Sequence, residues 1–213
     1  MKSKTNYLIP SENYPLTKMQ YILLFFLIYS LLGWIMETGY AIYELGHFVK
    51  RGFLFGPICP IYGYGAIILI LFLSKYKNNS FKLFFLSAII FSLFEYLVSF
   101  GLDAMFADKW WDYSNEFFNL NGRISLMFSF VWGIIAILFI NHIHPFIHKK
   151  ITNILKKVPY NLFKVLLYLS FITFLADTFC SSIKNIIWFL KKQLVPKLLF
   201  WFKIDQLSKK CYN

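Results

Sequence analysis

The chain has 213 residues, of which 58% are hydrophobic, 22% aromatic and only 15% charged, with a formal net charge of +12. So little charge cannot cover the surface of a soluble fold, which excludes a soluble domain and defines an integral membrane protein. The basic excess would mark a nucleic-acid binder in a soluble chain. Here the lysines flank apolar runs, where anionic lipid and the positive-inside bias place them, and no RNP, zinc-finger or helix-turn-helix pattern occurs, so no nucleic-acid partner is expected.

Met1 to Lys18 is polar, has no small-residue cleavage site, and reads as a tail before an uncleaved anchor. The first span is expected over Tyr21 to Tyr43. Tyr29, Gly33, Glu37 and Tyr40 recur in it at helical spacing and make one face less apolar. The stretch RGFLFGPICPIYGYG, Arg51 to Gly65, follows and is unlike either a span or a short polar connection. Its glycines permit left-handed and close-packed backbone, and Pro57 and Pro60 push Gly56 and Cys59 towards extended geometry. A regular helix should therefore start no earlier than about Pro60. Such irregular backbone persists at membrane depth only where protein or a wet cavity satisfies it, so it reads as a shaped, partly buried lead-in to the second span, which runs to about Leu73. A tight loop with small packing residues is the competing reading.

The third span, about Leu83 to Phe106, carries Ser92, Glu95, Ser99 and Asp103 at steps of three and four. Asp108 to Leu126 is the second unusual stretch, with aromatic pairs beside Asp112, Asn115 and Glu116 that suit a headgroup layer. A fourth span, about Ile124 to Ile140, leads into a basic loop with His142, His144, His148 and four lysines. The fifth, about Leu162 to Ile183, carries Ser170, Thr173, Asp177 and Ser181, and beyond it Asn185 to Ile204 has the mixture of Trp, Phe and Lys expected of a helix lying in the interface. Lys191, Lys192, Gln193 and Pro196 interrupt any sixth span. The expectation is an all-α integral membrane protein: a polar tail over 1–18, a polytopic domain of about five transmembrane helices over 19–184, and a basic amphipathic tail over 185–213. Counting Lys and Arg gives a tie of eleven on each side, but the short loops favour an inner N-terminus. Under either orientation, the two unusual stretches share one face.

Glu37, Glu95 and Asp177 sit in three different apolar spans, where a charge costs about 2.5–3.5 kcal/mol on insertion scales and needs a partner. The only arginines, Arg51 and Arg123, lie one in each unusual stretch and bind carboxylate or phosphate in a bidentate fork. The sequence thus predicts a buried polar cluster of Glu37, Arg51, Glu95, Asp112, Asn121, Arg123 and Asp177, with Arg123 pairing Glu95. The three histidines have no acidic or cysteine ligand nearby, and Cys59, Cys180 and Cys211 have no metal spacing, so neither a metal nor a cofactor is expected. There is no G-x-x-x-x-G-K-[ST], so the chain does not itself hydrolyse ATP through a P-loop.

The pattern L-G-W-x-x-E at Leu32 to Glu37, the Arg51 to Gly65 stretch, WWDYS at Trp110 to Ser114 and FNLNGRISL at Phe118 to Leu126 together resemble the bacterial ABC-transporter type IV family of CmpB-like permeases. The resemblance covers Tyr21 to Asp177, with Lys50 standing where the family often has Asn. It implies a multi-pass protein of the bacterial cytoplasmic membrane, a permease component of an ATP-driven transporter. Its partners would be lipids, a separate ATP-binding subunit, and a second copy or another membrane subunit. It marks Gly52, Gly56, Pro57, Pro60, Tyr62, Gly63, Trp111, Asn119 and Gly122 as motif positions beside Glu37, Arg51, Asp112, Asn121 and Arg123, and attaches no mechanism to them. Two other functions fit the residue types. One is an embedded enzyme for a lipid or lipid-linked phosphate, with Arg51 and Arg123 as a clamp and Asp112 or Glu95 as acid–base. The other is a non-catalytic scaffold.

Overall fold

The computed structural model describes residues 16–106, 109 and 111–210, side chains of 193 and 195–210 excepted. The tail before Leu16, Trp110 of the WWDYS motif, Cys211 and the side chains of most of the basic C-terminal segment lie outside that set. Among the described residues there are six α-helices: α1 Lys18–Leu45, α2 Pro60–Ile68, α3 Ser80–Phe106, α4 Leu126–Leu138, α5 His144–Leu155 and α6 Tyr160–Lys210. A two-residue hairpin, β1 Asn119–Leu120 against β2 Ile124–Ser125, closes the loop between α3 and α4.

The helix ends follow from local chemistry. Thr17 caps α1 through a reciprocal box with Gln20, and Gly46 ends it in the left-handed conformation, φ 72°. Pro60 opens α2, as its missing N–H and fixed φ dictate. Two π-helical turns, Leu69–Leu73 after α2 and Phe139–Ile143 between α4 and α5, widen the backbone, and both pack into one core with Tyr21, Phe25, Tyr29 and Leu83.

The distribution of side chains is that of a membrane bundle. On α3 the exposed face is Phe81, Phe85, Ile89, Leu93, Leu97 and Phe100, while the buried face carries Ser87, Glu95 and Ser99. Polar groups face in and greasy groups face out because hydrocarbon replaces water around the bundle. Four stretches are long and apolar enough to cross a bilayer: Lys18–Leu45, Ser80–Phe106, Leu126–Leu155 and Tyr160–Lys192. The second apolar run begins at Pro60, as expected, and ends at Tyr76 where the sequence suggests Leu73. It is a composite helix, Pro60–Tyr76, shorter than the ~20 residues of a full crossing.

The reason is where α2 begins. The Cys59 N–H donates to the Ser30 carbonyl at 2.9 Å, roughly midway along α1. Tyr62 lies against Gly33, Gly63 against Phe26 and Ser30, and Leu73 shares a core with Tyr21, so α2 runs antiparallel to α1 from its middle to its start. Arg51 to Cys59 therefore descends to mid-depth as non-helical chain, and α2 completes the crossing. The Phe53 ring meets Phe106 at 5.6 Å, which puts this segment and the end of α3 on one face, the loop face. The opposite, basic face holds the start of α1 and the turns around Lys75–Lys77 and Lys156–Lys157.

Two further differences concern chain beyond the fourth span. The helix does not end near Ile140 but continues through the π turn to Leu155, carrying His142, His144 and His148 on helical backbone, with His144 only 1% exposed. α6 is a single helix of 51 residues that passes through Lys191, Lys192 and Pro196, about 75 Å at the usual rise.

At Gly63 α1 and α2 lie in close contact; an added Cβ would strike the Ser30 hydroxyl and the Phe26 backbone. Gly63→Val is expected to destabilise the protein by about 1–3 kcal/mol, the usual cost of overpacking, seen as a lowered thermal midpoint in detergent. Gly101→Val, at an open position on α3, leaves that midpoint within about 0.5 kcal/mol of wild type.

Candidate functional site: the descending segment and its two polar walls

The descending segment has few backbone partners of its own, and side chains from two helices supply them. The Trp34 indole N–H donates to the Arg51 carbonyl at 3.1 Å. From α6, Asp177 accepts from the Phe55 N–H at 2.9 Å on Oδ1 and from the Gly56 N–H at 2.7 Å on Oδ2. The Ser181 hydroxyl accepts from the same Phe55 N–H at 3.1 Å and donates to Asp177 Oδ1 at 2.9 Å. Gly56 is a glycine for a packing reason: a Cβ there would sit 2.9 Å from Asp177 Oδ2. Gly52, at φ 91°, makes the turn beside the Cys59 thiol that starts the descent.

Beside the segment, Glu37 accepts from the Tyr62 hydroxyl, tying α1 to α2. Glu95, 7% exposed, has a neutral donor on each oxygen: the Tyr113 hydroxyl at 2.8 Å on Oε1 and the Trp132 indole at 3.0 Å on Oε2. These bonds join α3, α4 and the loop over them. Burial pushes the Tyr113 hydroxyl well above its ordinary range, and Glu95 pushes the same way, so it stays a donor to the carboxylate.

The loop itself is a compact clasp. Gly122 (φ 66°) and Asn121 (φ 56°) turn the hairpin, and Asn119 accepts from the Gly122 N–H while donating to the Ser114 and Glu116 carbonyls. A Cβ on Gly122 would collide with Asp112 and Ser114. Asp112 faces water, accepts from the Ser114 hydroxyl and N–H, and pairs with Lys109 at 3.6 Å. The bonds from Ser114 hold its carboxyl below the usual range, so its contribution is complete at neutral pH and is lost as pH falls through that depressed value. Trp111 donates to the Arg123 carbonyl at 3.0 Å, and Asn121 donates to the Tyr96 hydroxyl at 3.0 Å.

Arg123 pairs with Asp103 at 2.7 Å, donates to Ser99 at 3.2 Å, and lies over the Tyr96 and Phe100 rings. The expected Arg123–Glu95 pair does not form. Asp103 stands two turns beyond Glu95 along α3, at the level of the loop that carries Arg123, whereas Glu95 is deeper. The predicted single cluster is instead a set of local groups: Glu37 with Tyr62, Glu95 with Tyr113 and Trp132, Arg123 with Asp103, Asp112 with Ser114 and Lys109, and Asp177 with the descending backbone. Arg51 is held through its carbonyl, and its Nε is buried without a hydrogen-bond acceptor among the described residues. Ser181, from the stripe it shares with Asp177, and Tyr113, from the WWDYS motif, complete these groups together with Trp132, which escaped the sequence reading. Nothing in its spacing points across to another element.

An all-α bundle whose second apolar helix is fed by a pinned, non-helical segment, with Glu95 buried on α3 and half-buried Glu37 and Asp177 on α1 and α6, is a membrane protein with polar groups turned inward. Residues 24–182 match the family described as "Putative ABC-transporter type IV", which is three quarters of the chain, and the chain belongs to that family. No curated protein and no solved structure matches it.

Replacing Asp177 with Ala removes two charged hydrogen bonds of about 1.5–3 kcal/mol each. In a protein where Cys180 and Cys211 are Ser, buried Cys59 should then react with a small maleimide about tenfold faster or more. A double-mutant cycle separates the arginine partners. Arg123 and Asp103 should couple by about 1 kcal/mol in unfolding, and Arg123 and Glu95 should be additive within about 0.5 kcal/mol.

Proposed function

We propose that this chain is the membrane subunit of an ATP-driven transporter in the bacterial cytoplasmic membrane. The observation that carries the reading, beside the family, is the descending segment. Non-helical backbone that reaches mid-depth and is satisfied by side chains is the architecture that secondary transporters and channels place on substrate paths, because it exposes oriented amides and carbonyls where a continuous helix would hide them. Half-buried Glu37 and buried Glu95, each bonded to neutral donors, supply polar walls beside it. The chain has no P-loop, so ATP hydrolysis falls to a separate subunit. The basic turn with Lys149, Lys150, Lys156 and Lys157 is a suitable docking surface if the basic face is cytoplasmic, as the positive-inside bias favours. Four full-length spans are few for a translocation path, which favours a second copy or another membrane subunit beside this one.

The enzyme alternative draws less support. Its phosphate clamp needs two available arginines, and Arg123 is engaged by Asp103.

Purification of tagged protein from its native membrane in mild detergent tests the transport reading. A P-loop ATPase should co-purify in near-stoichiometric amount and be lost when the four lysines are changed to Gln. Recovery without any ATPase contradicts it.

A further inference from the structure

We propose that the half of the bundle towards the basic face contains a proton relay, built from His148, Tyr21, His144 and Tyr29, whose Tyr29 end adjoins, along α1, the residue that anchors the descending segment.

His144 is buried in the helical bundle and touched at both ring nitrogens by hydroxyls of α1. Its Nε2 lies 3.1 Å from the Tyr21 hydroxyl and its Nδ1 2.8 Å from the Tyr29 hydroxyl. A neutral imidazole has one N–H donor and one bare acceptor, so one tyrosine must donate to the ring and the other must accept from it. That is the arrangement through which a proton shifts without any group leaving its place. The Tyr21 hydroxyl gives its proton to Nε2 while Nδ1–H gives its proton to the Tyr29 oxygen. Tyr29 releases its own hydroxyl proton to water, and Tyr21 takes a replacement proton from water. One proton has entered and one has left, and the ring has changed tautomer with no net charge. Rotation of the ring and hydroxyls resets it.

Both ends are provided for. One turn towards the basic face, His148 packs 5.9 Å from His144 and 5.8 Å from Tyr21, ring to ring, and its Nε2 is buried without an acceptor or donor among the described residues. Unpaired buried polar atoms of this kind are where internal water sits. Both hydroxyls meet the same imidazole, so the path from Tyr21 to Tyr29 crosses one ring and its two hydrogen bonds. The next residue, Ser30, has a buried hydroxyl without a partner among the described residues, and its carbonyl receives the Cys59 N–H. The Tyr29 end of the relay thus adjoins, along α1, the residue that anchors the descending segment. The π-helical turn Phe139–Ile143 just before His144 shifts the register of the following helix, as such turns often do at functional sites.

Two variants separate relay from structural support. His144→Gln retains one acceptor and one donor set for the tyrosines but cannot exchange tautomers. Tyr29→Phe removes the outlet. With full-length protein in liposomes containing a pH-sensitive dye and a potassium-diffusion potential, wild type should take up protons. Both variants should lower the rate at least tenfold, with the thermal midpoint of His144→Gln unchanged. In nanodiscs, 15N-labelled His144 should show exchange-averaged ring nitrogens that separate into one fixed tautomer in Tyr29→Phe. A fixed tautomer in wild type, proton uptake no faster than empty liposomes, or full uptake by His144→Gln overturns the relay. None of these results depends on an ATPase partner, so the proposed function stands or falls separately.

Discussion

Backbone that leaves the helix inside a membrane must find donors and acceptors from its own protein, and this structure is arranged around supplying them to four backbone groups of one such segment. Arg51 to Cys59 drop from the loop face to the middle of α1. Trp34 takes a carbonyl contact at the top, Asp177 and Ser181 take two amides, and the Ser30 carbonyl takes the last one before α2 begins. α2 can be short because the segment has already covered part of the depth. α1 carries Gly33 opposite Tyr62, and α2 carries Gly63 opposite Ser30, because the two helices must close around that junction. α6 needs a carboxylate at Asp177, an otherwise costly residue in a span, because a single carboxylate reaches two successive amides.

The other polar groups follow the same economy of placement. Glu95 is buried but has a neutral donor on each oxygen, and Arg123 lies at the loop end of α3 where Asp103 meets it partly in water. Charge is thereby kept near the loop face, and the deeper carboxylates are bonded to hydroxyl and indole groups. A buried ion pair at the depth of Glu95 would carry a desolvation penalty that neither partner escapes.

Much of this was legible in the sequence. The apolar runs, the start of α2 at Pro60, the polar stripe on α3 and the shared face of the two motif stretches all follow from local pattern: helical periodicity, proline geometry and the parity of crossings. The family resemblance named the glycines, and the structure supplies reasons for Gly56, Gly63 and Gly122. The pairings were less accessible, because they depend on depth. Spacing along α3 makes Glu95 and Asp103 equivalent members of one stripe, and only their height relative to the loop decides which meets Arg123. His144 was misread for a similar reason. Neighbouring lysines make Asn141 to Lys157 look like a loop, whereas the lysines occupy the last turns of a helix whose earlier turns are buried. The composite nature of the second span was implied by Gly52, Gly56, Pro57 and Pro60, which together fix where its helix can start.

Hydrogen exchange at the individual amides of Phe55, Gly56 and Cys59, in the full-length protein in lipid nanodiscs, is the most direct measure of this account. These residues lie outside any helix, yet each amide is bonded to a specific partner, so they should exchange at least ~100-fold more slowly than the amides of Phe117 and Phe118 at the exposed tip of the clasp. Exchange at Phe55, Gly56 and Cys59 as fast as at that tip would show a segment lying loose at the surface, and the pinned descent would be wrong.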